Sequence, residues 1–116
     1  MITQKATFYD NYTLKSSSDY NGDDLVHYIE YNKNGLVVFE NLIGEFEKRF
    51  EYDKKNRIKR SIKIDKLGNK EWKSFTYSKD NLIVLRKMPG NPTIITKMVF
   101  GPEENGEREL LYEKFM

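Results

Sequence analysis

With 116 residues, 38% of them hydrophobic and 33% charged, the chain is the size of one domain, 1–116, with a modest core and an amply solvated surface. It has no cysteine, which excludes disulfides and thiolate metal sites, and its apolar runs are far too short to span a membrane. The formal net charge of +2 is too near neutral to imply a polyanion partner by itself. The charge is segregated, however. Residues 1–47 carry 3 basic and 8 acidic side chains, residues 48–73 carry 11 and 4, and residues 74–116 carry 6 of each. A basic middle beside an acidic start is either a binding footprint or a pair of complementary surfaces within one sheet.

Met1 to Asp10 shows no apolar run behind a basic stretch, so no secretory leader is expected and the chain reads as soluble and cytoplasmic. In chain order, alternation of apolar and polar residues predicts strands at 3–9, 25–31, 36–40, 46–52, 57–64, 71–77, 82–88, 93–100 and 107–114. No helical period survives. Residues 15–24, rich in Ser and Asp, read as a flexible loop. Asp19, Asn21 and Asp23 alternate as calcium ligands do, but no closing Glu follows, so this too reads as a solvated loop. His27, the only histidine, is placed at a strand start. Without cysteine or a second histidine, no metal site is expected.

Three stretches align as a repeat: Ile29 to Val37, Phe50 to Ile58 and Phe75 to Ile83. Each has a tyrosine (Tyr31, Tyr52, Tyr77) followed by a turn-capping Asn32, Asp53 or Ser78. Three positions later comes Gly35, Asn56 or Asn81, the residue types that tolerate positive φ. A weaker copy starts at Met98 and turns at Asn105-Gly106, and a degenerate one surrounds Phe8 to Asn11. This is the chemistry of a type I turn closed by a G1 bulge. It sets Asn32 opposite Leu36, Asp53 opposite Arg57 and Ser78 opposite Leu82. Continued without interruption, it pairs Tyr31 with Val37, Ile29 with Phe39, Tyr52 with Ile58, Tyr77 with Ile83 and Phe75 with Leu85. Glu51 then meets Lys59 and Glu47 meets Lys63. The expected fold is all-β: an antiparallel up-and-down meander of repeated hairpins, forming a curled sheet or an open barrel. Its apolar face must curl on itself, pack on a copy or meet a partner.

The stretch from Phe50 to Ile58 resembles the YD repeat of the RHS and teneurin family, with Tyr52, Asp53, Arg57 and Ile58 matching and Gly44 upstream. Asn56 replaces that family's glycine, and the copies at Tyr31 and Tyr77 are looser. The resemblance covers about residues 26–88. It implies hairpin units that extend by stacking, and, by analogy with small stand-alone bacterial proteins of similar look, a role in toxin–immunity or defence systems.

No catalytic constellation or phosphate cradle is visible, so neither an enzyme nor a cofactor is expected. Glu47 and Glu51 share a face but each has an expected Lys partner. Six residues stand out as candidate partner-binding groups: Trp72, Arg57, Lys59, Arg60, Lys48 and Lys63. Strand parity places Lys48 and Arg60 on the apolar face, Arg60 opposite Phe50. There they either snorkel over an aromatic ring or mark an open binding face. Trp72 is either an outward interface anchor beside Lys73 and Arg86, or is turned into the core by a bulge at 69–71. The cluster of Leu110, Leu111, Tyr112 and Phe115 reads as a last strand closing the core. The expected function is a protein-binding module, most specifically an inhibitor or immunity protein for a bacterial toxin or effector. The alternatives are a nucleic-acid or anionic-polymer sheet using Arg49, Lys55, Arg57, Lys59, Lys63 and Trp72, and a structural domain that self-associates as a homodimer. No membrane partner is expected.

Overall fold

The computed structural model describes residues 2–116. It contains ten strands: β1 (Ile2–Phe8), β2 (Leu14–Asn21), β3 (Asp24–Tyr31), β4 (Val37–Leu42), β5 (Phe46–Tyr52), β6 (Ile58–Asp65), β7 (Lys70–Tyr77), β8 (Asn81–Lys87), β9 (Ile94–Phe100) and β10 (Leu110–Phe115). All lie in one antiparallel sheet in chain order, so β1 and β10 are edges and the sheet is open. Among the described residues no helix is long and apolar enough to cross a membrane.

Residues 15–24 are not a loop. They supply most of β2 and the start of β3, with Asn21 opposite Asp24 and Gly22 in the left-handed region at φ 64°. The Ser-rich strand is accommodated because no enclosed core demands apolar side chains from it.

The turn chemistry holds at Asn32 and Asp53. The Asn32 N–H donates to the Leu36 carbonyl (2.8 Å) and the Asp53 N–H to the Arg57 carbonyl (2.9 Å). Gly35 and Asn56 have φ of 81° and 62°. Asp53 Oδ1 accepts from the backbone N–H groups of Lys55 and Arg57 at 2.8 and 3.0 Å, as Asn32 Oδ1 does from Asn34 and Leu36 at 2.9 and 3.1 Å. The degenerate copy closes likewise, with Tyr12 at φ 64° and the Tyr9 N–H donating to Thr13. The third copy differs. Ser78 faces Asn81 across a two-residue loop, so Tyr77 pairs with Leu82 and Phe75 with Val84, not with Ile83 and Leu85. Asn81 is not among the positive-φ residues, so the extra bulge residue is absent there.

A second correction concerns the first two hairpins. One residue beyond each turn the register shifts, leaving Val38 and Lys59 unpaired in their ladders. Ile29 therefore faces Glu40 rather than Phe39. Glu51 faces Arg60 rather than Lys59, Glu47 faces Ile64 rather than Lys63, and Phe50 faces Ser61 rather than Arg60. A single inserted residue moves every side chain after it to the other face. Arg60, Ile62 and Ile64 leave the face of Phe46, Phe50 and Tyr52, and apolar groups occupy both faces of the sheet.

The repeated tyrosines bind hairpin to hairpin. Tyr52 Oη donates to the Val37 carbonyl (2.6 Å) and Tyr77 Oη to the Ile58 carbonyl (2.8 Å). Each acceptor is the first residue of a bulge in the preceding hairpin, where the ladder is interrupted. Tyr9 Oη reaches forward to the Tyr31 carbonyl (2.6 Å). At the turn tips, Asn34 Nδ2 donates to Asn56 Oδ1 (3.1 Å) and the Arg57 guanidinium lies 4.3 Å from the Tyr77 ring centre.

The sheet is one layer thick. Among the described residues no hydrophobic or charged side chain is fully buried. The accessible surface is 8819 Å², whereas a compact protein of this mass exposes about 6,600 Å². The sheet is the open, curled form of the expected meander; the modest core expected from chain length is absent, and β10 does not close one: Leu111 and Phe115 are 56% and 74% exposed.

Replacing Tyr52 or Tyr77 with Phe leaves a bulge carbonyl without its donor. Each variant is expected to lower unfolding free energy by about 1–2 kcal/mol in urea titrations, whereas Tyr112→Phe at the exposed edge changes little. Burial pushes both hydroxyls above the ordinary tyrosine range. Their contribution is thus complete below about pH 10 and is lost as pH rises through the folded values, so the two variants should also flatten the alkaline limb of stability.

Candidate functional site: a groove on the Trp72 face

Cross-strand pairing assigns every central side chain to one of two faces. One face carries Phe46, Phe50, Tyr52, Phe75, Tyr77 and Val84 with Lys48, Lys63, Lys73, Arg86 and Glu71. The other carries Trp72. Along it runs the row Phe39, Arg49, Ile62, Trp72, Lys87, each paired with the next from β4 to β8. The adjoining row is Glu51, Arg60, Ser74, Leu85, Ile95, from β5 to β9. Ser74 is small and sits between Arg60 and Leu85, beside the indole row. The resulting groove has a volume of about 520 Å³, with Ile62, Trp72 and Leu85 as its apolar lining and Arg49, Arg60 and Lys87, together with Glu51, around it.

The six expected partner-binding residues do not form one cluster. Arg60 and Trp72 come together in this groove. Lys48 and Lys63 lie on the opposite face, 4.8 and 5.5 Å from the Phe46 ring centre, in the snorkelling geometry over an aromatic. Arg57 is held at the turn edge by Asp53 (2.8 Å) and Tyr77, and Lys59 occupies the bulge. Arg60 pairs loosely with Glu51 at 3.7 Å, both about 60% exposed, so the pair adds little stability. Trp72 keeps its strand parity, because β6 and β7 pair without a bulge at 69–71. Its neighbours are Ile62 and Lys87 rather than Lys73 and Arg86, which share the other face.

Ser74, Leu85 and Lys87 were not singled out from sequence, and Arg49 entered only among the cations of the nucleic-acid alternative. Arg49 stacks 4.5 Å from the Phe39 ring centre, which fixes its guanidinium beside Ile62. The alternation of Arg49 with Phe50 was the available signal, but it became meaningful only once the bulge at Lys59 put Ile62 on Arg49's face. His27 was also incompletely read. It lies within β3, its Nε2 2.8 Å from Glu40 Oε2 and its Nδ1 3.8 Å from Asp19. Among the described residues no group of three or more His, Cys, Asp or Glu side chains is arranged to hold a metal ion.

Three carboxylates have perturbed acidities. The backbone N–H of Arg57 holds Asp53 below the ordinary range, aided by the Arg57 guanidinium and the Lys55 N–H. The Asn69 side chain and backbone do the same for Asp65. Burial pushes Glu71 up, but Arg86 at 3.0 Å and Lys73 at 3.5 Å outweigh it and the group is lowered. No protein-family model and no curated protein sequence matches the chain.

Because these three groups are more acidic when folded, the unfolded chain binds more protons as pH falls. Their stabilisation is full above about pH 4–5 and is lost as pH drops through the folded values. Urea midpoints measured from pH 7 to pH 2 should therefore decline below about pH 4, and Glu71→Gln should make that decline shallower.

Proposed function

We propose that the chain is a non-catalytic protein-binding module that engages its partner through the Trp72 face. The observation that carries this reading is an apolar groove with a predominantly cationic rim, in which Glu51 is the one carboxylate, at the centre of an open sheet. Interface anchors are enriched in exactly these types: a tryptophan over an aliphatic floor, with arginines beside it. The surface exposed beyond that of a compact protein, about 2,000 Å², is the size of a substantial protein interface. The most specific form of the proposal is an inhibitor or immunity protein that neutralises a bacterial toxin or defence effector. The turn of Tyr52, Asp53, Arg57 and Ile58 supports a relationship to YD repeats: Asp53 caps the turn, Arg57 returns to Asp53, and Tyr52 ties the hairpin to its neighbour.

Nucleic acid is the second reading, favoured by Trp72 lying among Arg49, Arg60 and Lys87. Co-expression with the products of adjoining genes, followed by affinity capture and calorimetry, tests the first. A stoichiometric complex is expected, and Trp72→Ala should weaken it by about 2 kcal/mol or more, roughly thirtyfold. Retention on single-stranded nucleic acid that falls steeply with salt, with no adjoining product bound, would favour the second reading.

A further inference from the structure

The groove has a chemistry specific enough to describe what enters it. We infer that it receives an acidic protein segment presenting one large apolar side chain flanked by carboxylates. This inference rests on the protein-binding reading and names the partner's contact chemistry.

The apolar side chain follows from the shape. Ser74 lies in the ladder between Arg60 and Leu85, so the row dips at one position. The dip is bordered by the Trp72–Ile62 pair in the next row. A hollow of about 520 Å³ accommodates one large apolar side chain and its neighbours.

The carboxylates follow from the charges. From β5 to β9 the Trp72 face carries Arg49, Arg60, Lys70, Lys87 and Lys97 against Glu47 and Glu51. The seven ion pairs among the described residues include neither Arg49 nor Lys87, and Arg60 is engaged only by its 3.7 Å contact with Glu51. These cations stand on both sides of the apolar floor, Arg49 on β5 and Lys87 on β8, with Ile62 and Trp72 between them in one row. A segment lying across the strands with its anchor in the dip would bring flanking carboxylates to Arg49 or Arg60 at one end and to Lys87 at the other. Glu47 and Glu51 interrupt the cations and would repel a continuous phosphate chain, so the pattern favours discrete carboxylates over a polynucleotide.

The probe is a random peptide library displayed on phage, selected against the full-length chain. The expected result is enrichment of peptides with one Trp, Phe or Leu flanked by Asp or Glu. A synthetic peptide of that consensus should bind at least tenfold more weakly to Ser74→Phe, which fills the dip. The double variant R49E/R60E should lose the acidic peptide and gain a preference for the same peptide with Lys in place of its acids. Circular dichroism confirms that each variant keeps the sheet. Enrichment of basic or uncharged peptides, no enrichment at all, or binding indifferent to Ser74→Phe would overturn the inference. If an adjoining gene product binds the chain but ignores Ser74→Phe and R49E/R60E, the occupant inference falls while the protein-binding reading stands.

Discussion

A sheet one layer thick cannot enclose a core, and everything else in this protein follows from that constraint. Each strand has water within reach on both faces, so no residue gains the full stabilisation of burial that a sandwich or barrel provides. Cohesion comes from the backbone ladders, from cross-strand pairs each contributing about 0.2–1 kcal/mol, and from side chains that tie one hairpin to the next. The tyrosine hydroxyls are the most regular of these ties. Tyr52 and Tyr77 each donate to a carbonyl at a bulge of the preceding hairpin. A break in the ladder thus becomes a point of attachment, and the repeat has a physical reason to recur.

The bulges do a second thing. By leaving Val38 and Lys59 unpaired they reverse strand parity, so aromatic and aliphatic groups are shared between two faces. One face is crossed by lysines lying on Phe46 and by the Glu71–Arg86 pair. The other gathers Ile62, Trp72 and Leu85 around small Ser74. The binding surface proposed above is therefore a consequence of one inserted residue, Lys59, rather than of any single motif.

Much of the fold could be read from the sequence because turn chemistry is local. Asn32 with Gly35 and Asp53 with Asn56 announced their turns, and the pairs Tyr31–Val37 and Tyr52–Ile58 followed. Beyond those pairs the reading failed, because neither Val38 nor Lys59 differs in type from an ordinary strand residue. Each bulge coincides with a tertiary tie that local sequence does not encode: a tyrosine of the next hairpin donates to the adjacent carbonyl. Residues 15–24 read as a loop because Ser, Asp and Gly are loop formers by composition, although Gly22-Asp23, with Gly at the first central position, is a hairpin dipeptide joining Asn21 to Asp24. The candidate site suffered most from the parity error. Arg60 and Trp72 share one groove, whereas Lys48 and Lys63 belong to the other face, and Arg49 could not be placed beside Ile62 while the parity was wrong.

An open sheet of this kind is extended as well as exposed. The Cα radius of gyration is 17.4 Å and the extents are 47 × 40 × 23 Å, whereas a compact domain of this length has a radius near about 13 Å. Small-angle X-ray scattering across a concentration series tests this account most directly. An open single-layer sheet with its faces free gives a monomer with a radius of gyration of about 17–18 Å, from the Cα value of 17.4 Å with side chains and hydration added, unchanged on dilution. A monomer near about 13 Å would mean that the sheet closes on a core, and a doubled mass would mean that a second copy covers the face assigned here to a partner.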